Sequence, residues 1–385
     1  MPVKTFRDAW DRAPARPPGR RGAGLRVVLL LGLLPLLGGC RFGYYARAGW
    51  GQASLLLSRE PIDEVLEAGG LEPEAAARLR RVEGVMDFAA TQVGMVRNNN
   101  YTTYVDLEGA PASWTLVACP PDSLSPYLWE FPIVGALPYI GFFDREDAEE
   151  ERDRLVAEGY DTVILPAAAY STLGWFDDPV LSTMLRDDVE LVEVLLHEQT
   201  HATIYIEGDI AFNESLATFV GHAAALEYFE ARGERELIEV ARRRREDQRR
   251  VASFTSELVK ALEALYASDR SRDEKLDERK RLFARQRMKF RREVAPRLKT
   301  KRYRFFTRLP ANNAIIATLS VYNRDIAMME RLHEHSGRKI RRTFSDLLIL
   351  GRAKDVRKAI EARVKALDAL AGSSRASGSA TPRSP

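Results

Sequence analysis

The chain has 385 residues, of which 45% are hydrophobic and 29% are charged. This is an ordinary globular composition, and the chain is long enough to bury a sizeable core. The 58 basic residues nearly balance the 55 acidic ones, so the net charge of +3 gives no reason to expect a nucleic acid as a partner.

The first 40 residues have the pattern of a secreted protein's leader. A basic stretch ending at Arg26 precedes an apolar run over 27–37, which has the length of a signal-peptide core and is too short to span a membrane. The run ends in Leu-Gly-Gly followed by Cys40, which resembles the lipobox of bacterial lipoproteins. We therefore expect Cys40 to be lipidated and to attach the protein to a membrane.

The residue after the cysteine bears on location. Arg41 is not the aspartate that commonly retains lipoproteins at the inner membrane. By resemblance to those sorting rules, a Gram-negative host would place the protein at the outer membrane, facing the periplasm. The second cysteine, Cys119, ends an apolar run over 114–118, and we expect a free buried thiol there, although a disulfide with Cys40 is possible on count alone.

The next elements are helices and then short strands. Residues 61–92 predict two helices broken at Gly69-Gly70, because apolar residues recur there at helical spacing. Between 101 and 165, β-branched and aromatic runs alternate with Pro, Gly and Asn, which predicts a small, mainly antiparallel sheet. The expected strands are 101–106, 114–118 and 162–165, with a helix over 146–158.

From Asp178 onward the pattern is almost only helical. Residues 234–305 are nearly free of Gly and Pro and predict a helical arm of two long charged helices joined near Ser268-Asp269. Further helices are expected from Asn312 to about His333 and over 355–370. We therefore expect a leader over 1–40, one α+β domain over 41–371 that includes the arm, and a disordered tail over 372–385.

The arm is rich in arginine, including the run Arg242–Arg245. A solvated helix face would account for such a cluster, and so would contact with an anionic lipid surface. The sequence alone leaves both explanations open.

The strongest chemical signal is His-Glu-Gln-Thr-His over 197–201, inside a helical pattern over about 188–206. Four residues are just over one turn, so His197 and His201 project from one face and can bind one metal ion. Glu198 lies beside them as a base for the metal-bound water. This spacing predicts a zinc ion and hydrolytic chemistry, whereas two ordinary surface histidines are the plain alternative.

A catalytic zinc ion needs a third protein ligand. The candidates that follow the motif are Glu214, Asp209 and His222. Glu214 stands at the start of a second helical pattern, and a turn at Gly208-Asp209 would return its carboxylate toward the two histidines. We therefore prefer Glu214 and keep Asp209 and His222 as alternatives.

Over roughly residues 40–335 the chain resembles a predicted bacterial aminopeptidase family of zincin-type lipoproteins. The similarity is carried by Gly43-Tyr44-Tyr45, Gly51-Gln52, residues 138–143, 169–179 and 197–201, Asn213-Glu214, Asn312-Asn313-Ala314 and Tyr322. It implies a zincin-like α+β fold, one zinc ion per chain with Glu214 as the glutamate ligand, and a peptide substrate. The term aminopeptidase comes from this resemblance alone, because no G-x-M-E-N type loop for a free amine is found.

Five more residues are candidates for the site. Tyr170 and Trp175 follow the strand 162–165, along whose edge an extended peptide could bind, although Trp175 could equally pack on the zinc helix. Asn312 and Asn313 could contact the substrate backbone or cap the helix that they begin. Tyr322 could donate a hydrogen bond to an oxyanion or be a buried core tyrosine.

The expected function is thus a zinc-dependent peptidase, amino- or endopeptidase, anchored by lipid in the cell envelope. The alternative is an envelope lipoprotein in which the metal only stabilises the fold and the arm binds a partner or a membrane.

Overall fold

The computed structural model describes residues 42–131, 135–167, 177–303 and 312–378. The leader and Cys40 lie outside these ranges. None of the described helices is long and apolar enough to cross a membrane. The first helices are α1 (Phe42–Leu57), α2 (Ile62–Ala68) and α3 (Pro73–Phe88), and a π-helical turn, Ala89–Val93, continues α3. Both helices predicted over 61–92 are therefore present as α2 and α3.

The strands form three small sheets with one helix among them. Their bounds are β1 (Glu60–Pro61), β2 (Thr103–Val105), β3 (Ser113–Cys119), β4 (Trp129–Phe131), β5 (Gly135–Leu137), β6 (Ile140–Phe142), β7 (Asp161–Ala167) and β8 (Val180–Leu181), with helix α4 (Arg145–Ala157) before β7. The sheet orders are β1-β2-β8, β6-β3-β7 and β4-β5. Only the β2–β8 pair is parallel, so the described pairing is mainly antiparallel but is divided among sheets.

The β6-β3-β7 sheet is covered on both faces because its residues alternate. Leu116 and Ala118 of β3 face α4, whereas Val117 and Cys119 face a later helix, Asn313–Asn323. Cys119 is free and fully buried, as expected, and burial raises the pKa of its thiol to about 12.

The second half is helical. Its elements are a 3-10 turn (Ser182–Arg186), α5 (Asp188–Thr203), α6 (Ile210–Arg232), α7 (Arg235–Tyr266), α8 (Arg272–Lys289), the turns Phe290–Val294 and Ala295–Arg297, α9 (Asn313–Asn323), α10 (Ile326–His335), α11 (Ile340–Leu350) and α12 (Val356–Gly378). The main core joins α3, α5, α6, α10, α11 and α12.

Two expectations for this half are corrected. The single helix predicted from Asn312 to about His333 is broken at Arg324-Asp325, where Asp325 pairs with Arg357. Helix α12 continues to Gly378, eight residues past the predicted end at Leu370. Residues 379–385 lie outside the described ranges.

The predicted arm is present as two long helices, but it packs against the domain. Phe254, Leu258 and Leu262 of α7 form a core with Leu282 of α8 and Ile316 of α9. We call α7, α8 and residues 290–303 the basic hairpin.

The arginines of the basic hairpin pair largely with acids of the same protein. In the run 242–245, Arg242 pairs with Glu230 at 2.9 Å and Arg245 with Glu330 at 2.8 Å. Arg279 of α8 lies 2.6 Å from Asp161 of β7. The sequence left open whether these arginines face water or an anionic lipid surface. In the structure, several of them attach the hairpin to the domain.

Candidate active site

Helix α5 carries the two histidines and is fixed at its start by a side-chain cap. The carboxylate of Asp187 accepts a hydrogen bond from the Glu190 amide at 2.9 Å, which satisfies a donor that a helix start leaves free. Leu195 and Leu196 are fully buried in the main core, just before the motif. His197 and His201 point from the opposite side into a cavity.

The turn after α5 is tied down by Asn213, the neighbour of Glu214. The Asn213 side chain accepts a hydrogen bond from the Ile206 amide and donates one to the Ile206 carbonyl, both at 2.8 Å. Asp209 caps α6 by accepting from the Phe212 amide at 3.0 Å. These contacts set the start of α6, and with it the position of Glu214.

Helices α5 and α6 cross closely at Gly221. A Cβ atom at this position would lie 2.7 Å from the Glu193 carbonyl oxygen and 3.4 Å from the His197 Cβ. A side chain here would have to push the two helices apart, so glycine is what permits the close approach. The crossing therefore sets the distance between the histidines of α5 and the carboxylate of α6.

Three possible metal donors meet at this crossing. The Nε2 atoms of His197 and His201 are 3.1 Å apart. Glu214 places one carboxylate oxygen 3.4 Å from His197 Nε2 and the other 3.6 Å from His201 Nε2. All three residues can offer an atom within 4.8 Å of the others, so the group could hold a metal ion. We call it the metal cluster.

The chemistry of the metal cluster fits zinc. Two imidazole nitrogens and one carboxylate are a donor set of catalytic zinc sites. The two Nε2 atoms face each other at 3.1 Å and Glu214 faces both of them, so donor atoms of all three residues converge on a point that a cation could occupy. His201 Nδ1 is buried and has no hydrogen-bond partner among the described residues.

The charges within the metal cluster are strongly coupled. Burial would raise the pKa of the Glu214 carboxyl, but hydrogen bonds with His197 and His201 lower it below its ordinary value. Burial would lower the pKa of His201, but the hydrogen bond with Glu214 raises it. Each partner thus favours the charged form of the other, as expected when a carboxylate faces two imidazoles.

The two alternative third ligands are used elsewhere. Asp209 forms an ion pair with Arg357 in addition to its cap. His222 places Nδ1 3.1 Å from a carboxylate oxygen of Glu193. Among the described residues the geometry therefore joins Glu214, and neither Asp209 nor His222, to the two histidines.

Glu193 lies one turn before His197 and is nearly fully buried. Its carboxylate meets His222, Arg302 at 3.1 Å and Arg244 at 3.5 Å, and we call these four residues the Glu193 cluster. Burial would raise the pKa of Glu193, but the nearby cationic groups lower it to about 2. Arg244 also contacts the cap residue Asp187 at 2.8 Å, so the basic hairpin holds the start of α5 at two points.

The metal cluster forms part of the wall of a cavity of about 420 Å³. Glu198 lies in the same wall. Alternate residues of β3, namely Ser113, Thr115 and Val117, line another part of it. The base that the sequence predicts and the three donors therefore share one solvent-connected space beside the face of a sheet.

Two tyrosines complete this wall. Tyr322 is 41% exposed, so it is not a core tyrosine, and the negative charge of Glu214 raises its pKa well above the ordinary value. Tyr139, between β5 and β6, lies in the same wall, and burial followed by the charge of Glu214 raises its pKa. Sequence analysis proposed Tyr322 but gave Tyr139 no role, although residues 138–143 carry part of the family resemblance.

Tyr101, near Glu198, is another tyrosine to which the sequence assigned no role. Its hydroxyl is buried and has no hydrogen-bond partner among the described residues. Burial, and next the charge of Glu198, raises the pKa of Tyr101 well above its ordinary value. Its backbone has a φ of 62°, which is rare outside glycine and has no signal in the sequence.

The two asparagines proposed either to cap a helix or to contact substrate have structural roles. Asn312 caps α9 by accepting from the Ile315 amide at 3.1 Å. Asn313 is fully buried and donates to the carbonyls of Pro120 and Ser123. Neither lines the described cavity, because these contacts attach α9 to the sheet, so we withdraw them as substrate contacts.

The remaining predicted residues are Tyr170, Trp175 and Cys40. All three lie outside the described residues.

Comparison with known proteins adds one result. A family model described as "Putative aminopeptidase" matches residues 43–361. This range contains the metal cluster, Glu198 and both cavity tyrosines. No curated protein and no solved structure matches the chain.

Proposed function

This chain belongs to the family described as putative aminopeptidase, and from that premise we propose that it is a zinc-dependent peptidase held at the cell envelope by a lipid on Cys40. The observation that carries the proposal is the meeting of His197, His201 and Glu214 in the wall of a cavity that also contains Glu198. The family supplies the peptidase class, and the donor set supports zinc as the metal.

Zinc bound by these three residues would polarise the scissile carbonyl and lower the pKa of water at the site. Glu198 would accept a proton from the attacking water on its carboxylate and then donate it to the nitrogen of the leaving amine. The carboxylate is suited to this because it lies in the cavity wall beside the donors.

The hydroxyl groups of Tyr322 and Tyr139 would stabilise the negative charge that develops on the carbonyl oxygen. Tyrosine hydroxyls are protonated near neutral pH, so both can donate hydrogen bonds. Donors that are already in place when the charge develops are an effective form of transition-state stabilisation.

The residues that line the cavity bear on whether the protein is an aminopeptidase or an endopeptidase. Glu198 and Glu214 are the carboxylates in the described cavity wall, and both have roles in the proposed chemistry. An aminopeptidase needs a further anionic group for the substrate's free amine. Cleavage rates of one peptide with a free and with an acetylated amino terminus will decide: a strong preference for the free amine supports the family description.

The rival hypothesis is a lipoprotein with a structural metal and a partner-binding arm. The packing of the basic hairpin against the domain, and the ion pairs of Arg242, Arg245 and Arg279, favour an internal role for its charges. This supports the peptidase hypothesis over the rival.

The first test is metal content by mass spectrometry, together with cleavage of a fluorogenic peptide library. We expect about one zinc ion per chain in the parent, and its loss in His197→Ala and Glu214→Ala. Glu207→Gln is the matched control, because Glu207 is an exposed carboxylate in the turn between α5 and α6 and should leave the metal content unchanged.

Absence of tightly bound metal in the parent, or its retention in Glu214→Ala, would contradict the assigned donor set. Zinc with no peptide cleaved would favour the structural-metal hypothesis. The lipid anchor is tested separately by fractionating cells that express Cys40→Ser, which we expect to lower the membrane-bound fraction of the protein.

A further inference from the structure

The outer face of helix α1 is apolar although it is exposed. The exposed fraction of the residue is 75% for Trp50 and 83% for Leu57. Arg47 is the only charged residue of the helix, whereas 29% of the whole chain is charged. A helix face in contact with water normally carries charged residues. This face therefore has the composition of a contact surface and not of a solvated one.

The apolar residues share one side of α1. Ala46, Trp50, Ala53 and Leu57 follow at intervals of three or four residues, which places them in one row along the helix. The single charge, Arg47, lies at 2.6 Å from Asp147 and is neutralised by it. The row thus presents a continuous uncharged strip along the full length of the helix.

The opposite side of α1 is fixed against the domain, so the strip cannot turn inward. Leu55 is buried in the main core. A Cβ atom at Gly51 would lie 2.2 Å from the Phe143 ring, so the helix backbone rests directly on this ring. Tyr44 donates a hydrogen bond to the Gly141 carbonyl at 3.1 Å, which attaches the start of the helix to β6.

The position of α1 in the chain indicates what covers the strip. Only Arg41 separates the helix from Cys40, the residue proposed to carry lipid, so the start of α1 lies within about 7 Å of the anchor. The helix itself is 16 residues, or about 24 Å, long. Exposed tryptophan and leucine on one helix face are typical of helices that lie at a lipid surface.

We propose that α1 docks on the lipid bilayer, with Trp50 and Leu57 inserted at the boundary between the headgroups and the acyl chains. The occupant is the membrane itself rather than a second copy of the chain. The inference extends the proposed lipid anchor of Cys40 from a flexible tether to an oriented contact. An apolar helix face would add a second membrane contact to the lipid anchor and would orient the domain on the bilayer.

This orientation has a consequence for the substrate. Tyr44 and Ala48, on the inward side of α1, line the cavity that contains Glu198. The cavity therefore lies about one helix diameter, on the order of 10 Å, from the lipid surface. Under the proposed peptidase function, peptides held at the membrane surface are the substrate class that this placement favours.

The test uses the chain from Arg41 onward without lipid. All described hydrophobic clusters draw on residues within 44–367, so this chain contains the whole described core. Vesicles of phosphatidylethanolamine and phosphatidylglycerol with brominated acyl chains should quench Trp50 fluorescence, and Trp50→Phe should remove the quenched signal. Brominated lipid quenches only tryptophan that reaches the acyl region.

Leu57→Ser should weaken partitioning into these vesicles about tenfold, because one large apolar side chain no longer enters the lipid. Ile349→Ser is the matched control, since Ile349 is an aliphatic residue on α11 that is 62% exposed, and it should leave partitioning unchanged. Both variants should keep the parent's metal content and its cleavage of a soluble peptide.

Three results would overturn the proposal. They are the absence of Trp50 quenching, equal partitioning of Leu57→Ser and Ile349→Ser, and a dimer in sedimentation that Leu57→Ser dissociates. The last result would assign the strip to a second copy. Vesicle binding by a chain that cleaves no peptide would leave the docking intact and refute only the proposed enzyme.

Discussion

Helix α5 carries two groups of buried polar side chains one turn apart, and they differ in how their charges are satisfied. In the Glu193 cluster, one carboxylate meets two arginines and a histidine, so its charge is compensated within the protein. In the metal cluster, two imidazole nitrogens and a carboxylate point at one another. Both clusters contain histidine and glutamate, but only the Glu193 cluster also contains arginines that compensate the carboxylate.

The difference separates a structural ion network from a ligand site. Opposite charges that pair in the interior need nothing further and keep packed elements in register. Electron-pair donors that converge are better satisfied by a cation, because they cannot all donate hydrogen bonds to one another. The metal cluster also lines a cavity, whereas the Glu193 cluster joins α5 to α6 and the basic hairpin.

The largest expected effect is on catalysis and comes from Glu198→Gln. The variant keeps the size of the side chain and removes its basicity, so we expect peptide cleavage to fall by about 10² to 10⁴-fold. Metal content and unfolding midpoint should stay at the parent's values, because Glu198 is not one of the three donors. The measurement is kcat/KM on a cleaved peptide, with zinc quantified in the same preparation.

Parent-like activity in this variant would remove Glu198 from the mechanism. Loss of zinc along with activity would instead mean that Glu198 helps to bind the metal.

The next effect is on stability and comes from Glu193→Gln. Without the carboxylate, Arg302, Arg244 and His222 lose their shared buried partner, and we expect the free energy of unfolding to fall by about 3 to 5 kcal/mol. Urea unfolding followed by circular dichroism measures this. The residual folded protein should still bind zinc, since the donors remain in place.

A loss below about 1 kcal/mol would show that the Glu193 cluster is no more than a surface-type ion network. The Glu193 cluster would then not be the stabilising ion network that distinguishes it from the metal cluster.

A smaller effect is expected from Gly221→Ala, which acts on both clusters at once. The added Cβ would lie 2.7 Å from the Glu193 carbonyl and close to His197, so α5 and α6 must separate. We expect a loss of about 1 to 3 kcal/mol in unfolding free energy and a weaker affinity for zinc. Thermal unfolding with and without a chelator measures both.

Gly84→Ala in α3 is the control for helix propensity. Its Cβ would lie 3.7 Å from the Tyr228 hydroxyl, an ordinary contact distance, so this variant should be neutral or up to about 1 kcal/mol more stable. Equal destabilisation by the two substitutions would mean that the close helix crossing is not the cause.

The smallest effect is expected from Arg242→Ala in the basic hairpin. Arg242 pairs with Glu230 and Glu239 at 2.9 and 3.0 Å, but all three side chains are exposed. We expect a change of at most about 1 kcal/mol by chemical denaturation. Arg244→Ala should cost clearly more, because Arg244 reaches the buried Glu193. Similar losses in the two variants would show that burial does not distinguish these arginines.

The sequence predicted the features that depend on neighbours along the chain. The helical period alone places His197 and His201 on one helix face. The lengths of α7 and α8 follow from residues that favour helix over many turns. The break between α9 and α10 was missed, since Asp325 is held there by Arg357, which lies far along the sequence.

Roles that depend on three-dimensional contacts were harder to predict. The sequence favoured Glu214 as third ligand and left Asp209 and His222 as alternatives, and the packing of α6 on α5 brings Glu214 alone of the three to the histidines. Asn313 was taken for a substrate contact, but a buried amide with several protein partners looks the same in sequence as one in a cavity.

The sequence by itself determined the chemistry available to this protein: a helix with two histidines and a glutamate at the spacing of a metal site, the carboxylate of Glu214 a short distance along the chain, and an apolar run before Cys40. The tertiary structure decided which groups meet. It brought Glu214 to the histidines through the glycine crossing, placed Tyr139 and Tyr322 in the cavity wall, and used the arginines of the basic hairpin internally. Local periodicity is set within a few residues, whereas pairing between distant side chains depends on how whole helices pack.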